Sequence, residues 1–301
     1  MNIHGILNLD KPEGPTSFQI VARVRRATGV QRVGHGGTLD PLASGVLPVF
    51  LGQATRLVEF LGRSPKVYRA RVRFGTATDT YDAAGTTTFV GDPSGVSPEQ
   101  VQAALVVFRG PILQRPPPYS ALKVGGRRLY SLARAGEPME VPARPVEVFR
   151  LEMLGWEPPV AILEVECGKG TYIRSLAHDL GQQLLCGAHL EALERTRVGP
   201  FTLEEATSLS EMEHAFQAGA WAGLVHPMDR VVDWMRPVWV TPDAAQQLGC
   251  GQDVSLPPGD EAQRDGEWRR AYLESGELAA LLQFRADTGL WHPVKVFIPS
   301  N

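Results

Sequence analysis

Asp40 stands where a reactive carboxylate would stand. It lies in the stretch "RVGHGGTLDPLASGVLPVFLG" (Arg32 to Gly52), five residues after His35, and no charged residue follows it until Arg56. Asp before Pro commonly caps a helix or a turn. A carboxylate among apolar walls also needs a partner to stay ionised. Once ionised it can attack as a nucleophile or take a proton as a base. A second stretch, "CGKGTYIRSLAHDLG", supplies a candidate partner in Arg174, with Lys169 and Tyr172 beside it. Tyr172 and Arg174 are two apart, so on a strand they would share a face. In a third stretch, "VYRARVRFG", Tyr68 shares an apolar face with Ala70, Val72 and Phe74, while Arg69, Arg71 and Arg73 line the other. The glycines at 34, 36 and 37 are expected to admit another backbone close to the His35–Asp40 loop.

These residues need elements to position them. "HGILNLDKPEGPTS" reads as a strand, with Ile3, Gly5, Leu7 and Leu9 alternating against polar partners, followed by a turn at Lys11 to Pro15. Thr16–Ser17 offers an N-cap for the helix "FQIVARVRRATG", which carries Phe18, Val21, Ala22 and Val24 or Arg25 at helical spacing. "LPVFLG" is a short buried strand or a helix start, "ATRLVEFLGR" is helical, and "SPEQVQAALVVFRG" is a capped helix. The stretch from Pro111, with three prolines at 116–118, reads as an excursion from the main sheet. It carries a short basic helix near Arg127–Ala135 and a return to strand at Val146–Leu151. "VAILEVECGKGTYIRSLAHDLGQQLL" is strand, glycine turn and helix. From about Pro237 short strands with Gly/Pro turns predict a small all-β domain.

Composition narrows the class. The chain has 301 residues, 43% hydrophobic and 21% charged, as expected of a globular protein with one large and one small domain. Three dispersed cysteines suggest neither a disulfide framework nor a zinc site and fit a reducing, cytoplasmic setting. No apolar run approaches the ~20 residues that span a bilayer, and the N-terminus does not read as a signal peptide. The net charge of -3 hides a segregation: residues 1–75 hold eleven Lys/Arg against four Asp/Glu, and residues 100–136 hold six Lys/Arg and no acid. Arginines interleaved with Tyr119 and Tyr130 suit RNA, although a solvated basic face would read the same way. No P-loop, dinucleotide fingerprint, metal-ligand cluster or nucleophile elbow is present, so no cofactor or metal is expected.

Taken together, "LNLDKPEGPTS", "RVGHGGTLDPLASGVLPVFLGQATR", "KVYRARVRFGTATDTYDAAG", "PPPYSALKVGGRRLYSLARAG", "CGKGTYIRSLAHDLG" and "LERTRVGPF" resemble the TruB family of bacterial tRNA pseudouridine 55 synthases. The matches run in family order over most of residues 3–203. The resemblance implies an α+β fold. A catalytic domain, 1–236, would have a mixed, mainly antiparallel sheet flanked by helices and an RNA-gripping insertion at about 112–145. A small C-terminal β-barrel, PUA-like, would span 237–301. It implies Asp40 as the essential aspartate, Arg174 as its partner and Tyr68 stacked on the target uracil near C5. Tyr172 would line the pocket and Leu193 would be an apolar wall. His35 would help hold the T loop open, and Lys11 and Pro12 would buttress the pocket. Lys169, Arg127 and Arg128 would meet the RNA. The implied substrate is the T stem-loop of tRNA, and the implied state is a monomer needing no protein partner or cofactor. Glu194 departs from the basic residue the family often carries there, an expected loss of a phosphate contact. Residues 236–301 hold six Lys/Arg against nine Asp/Glu, with Arg264, Arg269 and Arg270 as the candidate basic patch.

Two other readings stay open on these residues. An RNA-binding factor that opens and recloses the tRNA elbow would need the basic stretches but not Asp40. A hydrolase of another nucleoside would need a second carboxylate paired with Asp40, and none stands near it in the sequence.

Overall fold

The computed structural model describes residues 3–120, 122–124, 127–129, 141–256 and 263–298. An 11-stranded mixed sheet organises most of the chain. Along its main path the strands run Thr207–Ser208, Gly5–Lys11, Ala43–Leu51, Ala188–Val198, Lys66–Phe74, Val160–Cys167, Arg144–Glu157 and Gly110–Gln114. Most neighbours are antiparallel, while Ala43–Leu51 lies parallel to Ala188–Val198.

The central strands are buried on both faces, so they read as continuous apolar runs rather than clean alternations. On Gly5–Lys11, Leu7 and Leu9 enter a core with Ile20, Val24 and Leu176, whereas Ile6 enters a second core with Val46, Phe50 and Phe201. Ile6 and Asn8, which alternate with these residues, are therefore buried as well, and Asn8 spends its amide on the Thr202 carbonyl at 2.8 Å. "LPVFLG" is strand, part of Ala43–Leu51.

Helix Ser17–Thr28 starts and stops where its sequence says. The Thr16 hydroxyl accepts from the Gln19 N–H, the Gln19 side chain closes a capping box, and Gly29 ends the helix in the left-handed region at φ 68°. Its buried stripe is Ser17, Ile20, Val21, Val24 and Thr28. Phe18 is not part of it and is 72% exposed, because Ser17 takes the inward position one residue earlier.

Strands Gly110–Gln114 and Arg144–Glu157 pair in the sheet, so the chain leaves and re-enters it between them, as the excursion requires. Within it Lys123–Val124 pairs with Arg127–Arg128. Of the basic helix expected near Arg127–Ala135, Arg127–Arg128 are strand, Leu129 is helical, and residues 130–135 lie outside the described residues.

The C-terminal segment builds an open four-stranded sheet: Arg236–Trp239, Trp268–Tyr272, Leu278–Arg285 and Leu290–Val296. The all-β expectation misses helix Pro242–Gly249, which Thr241 caps through the Ala244 N–H and Pro242 starts. Leu278, Leu281 and Phe297 close over the second core of the large sheet, so the two sheets share apolar packing. No described helix is long and apolar enough to cross a membrane.

Candidate active site

Asp40 sits in a turn whose backbone is clamped from three sides. Arg195, 1% exposed, donates to the carbonyls of Val46 (2.8 Å), Gly37 (3.1 Å) and Thr38 (3.4 Å). The Ser17 hydroxyl accepts from the Leu39 N–H at 2.9 Å and donates to the Leu39 carbonyl at 3.0 Å. Lys11 donates its ammonium to the carbonyls of Ala43 (2.6 Å) and Pro12 (2.9 Å). No helix begins at Asp40, so the carboxylate is not a helix cap. The loop glycines serve the fold itself. A Cβ on Gly36 would lie 2.5 Å from Leu61 Cδ2, and Gly37 holds φ +132°. The space at Gly36 is filled by Leu61 and Phe50, which corrects the expectation of room for a second backbone there.

Arg174 reaches Asp40 from the start of helix Ile173–Gln183. Tyr172 is the N-cap and Arg174 lies in the first turn, so the pair do not share a strand face. Arg174 Nη2 meets Asp40 Oδ2 at 2.8 Å and also donates to the Tyr119 carbonyl at 3.0 Å. Its Nη1 lies 3.3 Å from Asp82 Oδ2 and donates to the Thr80 carbonyl at 3.2 Å. The two carboxylates differ. Asp82 is 8% exposed at its side chain and accepts from the Thr80 hydroxyl and the Ala84 N–H, whereas the Asp40 side chain is 42% exposed. One guanidinium therefore rests on a fixed, buried anion and presents its other edge to an accessible one.

A cleft of about 650 Å³ opens over this pair. His35, Asp40, Tyr68, Lys169, Tyr172, Arg174 and Leu193 all line it, together with Arg63, Lys66 and Arg195. Tyr68 comes from Lys66–Phe74 and pairs in register with Arg195. Burial pushes its phenol up, against the pull of the neighbouring Arg195 guanidinium. Burial and then Arg195 lower His35, so the imidazole is neutral at physiological pH. The Gly37 N–H donates to His35 Nδ1 at 3.4 Å, which leaves the ring proton on Nε2. Burial draws Lys11 down to about 8, opposed by Asp40 and Glu13.

Lys11 and Pro12 are not among the lining residues and act from behind the turn. Arg127 and Arg128 form a short strand in the excursion. Arg195 and Asp82 were both missed as site residues. They stand in quoted stretches, "LERTRVGPF" and "TDTYDAAG", but nothing local marks a charge as buried. Glu194 alternates away from the cleft-lining Leu193 and Arg195 and meets Arg69 at 3.5 Å. Two expected cationic surfaces are also spent internally. Arg71 and Arg73 both bind Glu191, and Arg71 binds Glu157 as well. In the C-terminal segment Arg269 lies 4.5 Å from the Trp291 ring centroid, and Arg270 donates to the carbonyls of Met235 and Asp233.

Comparison with known proteins follows the same residues. The model of the TruB family pseudouridylate synthase N-terminal domain matches residues 25–173, and that of the tRNA pseudouridylate synthase B C-terminal domain matches 174–233. A tRNA pseudouridine synthase B of Dehalococcoides mccartyi (strain CBDB1) is 42% identical over 294 residues, 98% of this chain and 96% of the relative. That of Symbiobacterium thermophilum is 53% identical over 213 residues, 70% of this chain and 71% of the relative. Among solved structures, a Cbf5–Nop10–Gar1 complex contains a chain with TM-score 0.75 and 30% identity, covering 98% of this chain and 85% of its own. An H/ACA RNP bound to a substrate RNA containing 2'-deoxyuridine gives TM-score 0.75 at 28% identity, covering 99% of this chain and 86% of its own.

Proposed function

Since the chain belongs to the TruB family of pseudouridine synthases, which are isomerases, we propose that it converts uridine 55 in the T loop of tRNA to pseudouridine. The observation that carries this reading is the Arg174–Asp40 pair at 2.8 Å on the wall of the 650 Å³ cleft. Such a volume lies within the ~300–1,000 Å³ typical of small-molecule sites. The isomerisation breaks C1'–N1, turns the base and joins C1' to C5, with no net gain or loss of atoms. The target nucleotide must leave the stack to expose both carbons.

Asp40 then attacks as a nucleophile or removes a sugar proton. Arg174 aims it, and Asp82 holds Arg174 in place from the buried side. Tyr68 gives the uracil an aromatic face, and Leu193 and Tyr172 close the walls. Because its phenol rests protonated, Tyr68 can take the C5 proton only by handing its own proton onward. Neutral His35 stands at the RNA side with a donor on Nε2. Lys11 and Pro12 buttress the turn, while Lys169, Arg127 and Arg128 meet phosphates. In this reading residues 1–236 form the catalytic domain, 237–301 take the place of the PUA-like domain, and the chain acts as a monomer without a protein partner.

The test is to map pseudouridine in an unmodified tRNA transcript after incubation with wild type and with Asp40→Asn. Wild type should modify position 55 alone. The variant should make no product and keep tRNA affinity within roughly a few-fold, as expected for an interaction realised in the transition state. Normal product from Asp40→Asn would sink the assignment. A wild type that refolds tRNA without modifying it would favour the folding-factor reading.

A further inference from the structure

Helix Ile173–Gln183 carries Arg174 but has no cap of its own. Three other helices, Ser17–Thr28, Pro98–Ala104 and Leu209–Gln217, begin with capping boxes built from Thr16/Gln19, Ser97/Gln100 and Ser208/Glu211. In a capping box the third helical residue returns its side chain to the N-cap N–H. At Ile173–Gln183 the N-cap is Tyr172, which makes no side-chain cap bond, and the third residue is Ser175. The Ser175 hydroxyl turns elsewhere and donates to the Arg115 carbonyl at 2.8 Å.

The missing acceptor arrives from another strand. Gln114, 2% exposed at the end of Gly110–Gln114, accepts from the Tyr172 N–H at 2.7 Å and donates to the Tyr172 carbonyl at 3.0 Å. Both backbone groups of the N-cap residue are thus held by one amide. The same segment reaches the helix twice more, through the Arg115 carbonyl on Ser175 and the Tyr119 carbonyl on Arg174 Nη2. That Nη2 is also the atom that meets Asp40.

We propose that Gln114 is a positioning residue for the reaction: it caps the catalytic helix in trans and thereby sets where Arg174 meets Asp40. The proposal rests on the reading that this pair carries pseudouridylation. The helix supplies no side-chain cap to its own first turn, and Arg174 is its second residue. A slip of the first turn would therefore pass directly into the guanidinium. Gln114 itself does not line the cleft and reaches it only through the Tyr172 backbone.

The experiment compares Gln114→Met, which keeps the shape and loses both bonds, with Gln114→Glu, which keeps only the acceptor for the Tyr172 N–H. Single-turnover pseudouridine formation, tRNA affinity and the thermal unfolding midpoint are measured on the full chain, with Asp40→Asn alongside. Because a misplacement of ~1 Å can cost ~100-fold in rate, Gln114→Met should slow the single-turnover step by roughly 10- to 100-fold. Affinity should stay within roughly threefold, the split expected when only transition-state contacts are disturbed. Gln114→Glu should fall between Met and wild type in rate, and it decides the matter alone if Gln114→Met does not fold. A wild-type rate in the variants, or a loss confined to affinity, overturns the proposal. Activity retained by Asp40→Asn would overturn the functional reading beneath it instead, so the two failures are distinguishable.

Discussion

Two sets of cations face opposite ways and do opposite work. Arg195 on Ala188–Val198, Lys11 and Arg174 point into the molecule and are almost fully buried. They spend their protons on carbonyls and on Asp40 and Asp82. Arg69, Arg71 and Arg73 on Lys66–Phe74 point outward and meet Glu194, Glu157 and Glu191 in partial contact with water. In the first set each charge fixes backbone near Asp40, and its loss would strand buried acceptors. In the second, charges neutralise each other in a medium where such pairs contribute ~0–1 kcal/mol. Among these cations burial therefore separates a scaffold for the reacting turn from surface counter-ions.

The sharpest break of that comparison is Arg195→Met. It would leave the carbonyls of Gly37, Thr38 and Val46 without their donor. The Val46 carbonyl is buried, whereas Thr38 is exposed and Gly37 half-buried, so at ~1–3 kcal/mol for one unsatisfied buried group the expected loss is roughly 1–3 kcal/mol. It should be read as a fall in the urea midpoint at unchanged slope, with product formation reduced as the turn loosens. A midpoint within experimental error of wild type would place Arg195 with the surface set.

A third set, Arg127 and Arg128, is proposed to meet phosphates. Arg127→Glu with Arg128→Glu should weaken tRNA binding and flatten log affinity against log salt by roughly one to two in slope. An unchanged slope would show that these residues touch no phosphate.

Lys11 separates the buried set by pH. Burial lowers its ammonium to about 8 in the folded chain, against an ordinary 10.5. Below pH ~8 both states hold the proton and this group adds no pH dependence. Between ~8 and ~10.5 the unfolded chain keeps a proton that the folded chain has released, so stability rises with pH. Asp10, Glu13, Asp40 and Arg195 also act on the ammonium, so the useful quantity is the difference from Lys11→Met. Wild type should gain on that variant between about pH 7.5 and 9.5 in denaturant titrations. A flat difference would mean that Lys11 holds its proton throughout.

How much of this was legible in the sequence follows from the same division. Local rules found the first helix, because Thr16, Gln19 and Gly29 are short-range signals. They placed Tyr68 inward, because strand alternation is local too. They brought Asp40, Tyr68, Tyr172, Arg174 and Leu193 to one cleft only through the motifs as a set. They did not reveal that Arg195 is buried and Arg69 paired outside, because that depends on which strand lies beside which. Gln114 is the extreme case. Its partner is 58 positions away, so no window along the chain contains both halves of the cap. Phe18 failed in the opposite direction, since helical spacing allowed it inward and Ser17, bonded to Leu39, took the place.

The smallest expected effect tests the outward set. Arg71 lies 3.0 Å from Glu191 and 3.0 Å from Glu157, and Glu191 is shared with Arg73. A double-mutant cycle of Arg71→Ala and Glu191→Ala should give a coupling of about 1 kcal/mol or less at low salt. The Glu191–Arg73 contact is lost in both the Glu191→Ala and the double variant, so it cancels from the coupling. Near 1 M salt, where the Debye length is ~3 Å, the coupling should shrink further. The tRNA salt slope should not change, because this guanidinium is already matched by protein carboxylates. A coupling near that expected of Arg195 would mean that exposure does not divide these arginines, and a steeper loss of tRNA affinity than in the Arg127/Arg128 variant would put Arg71 on the RNA face.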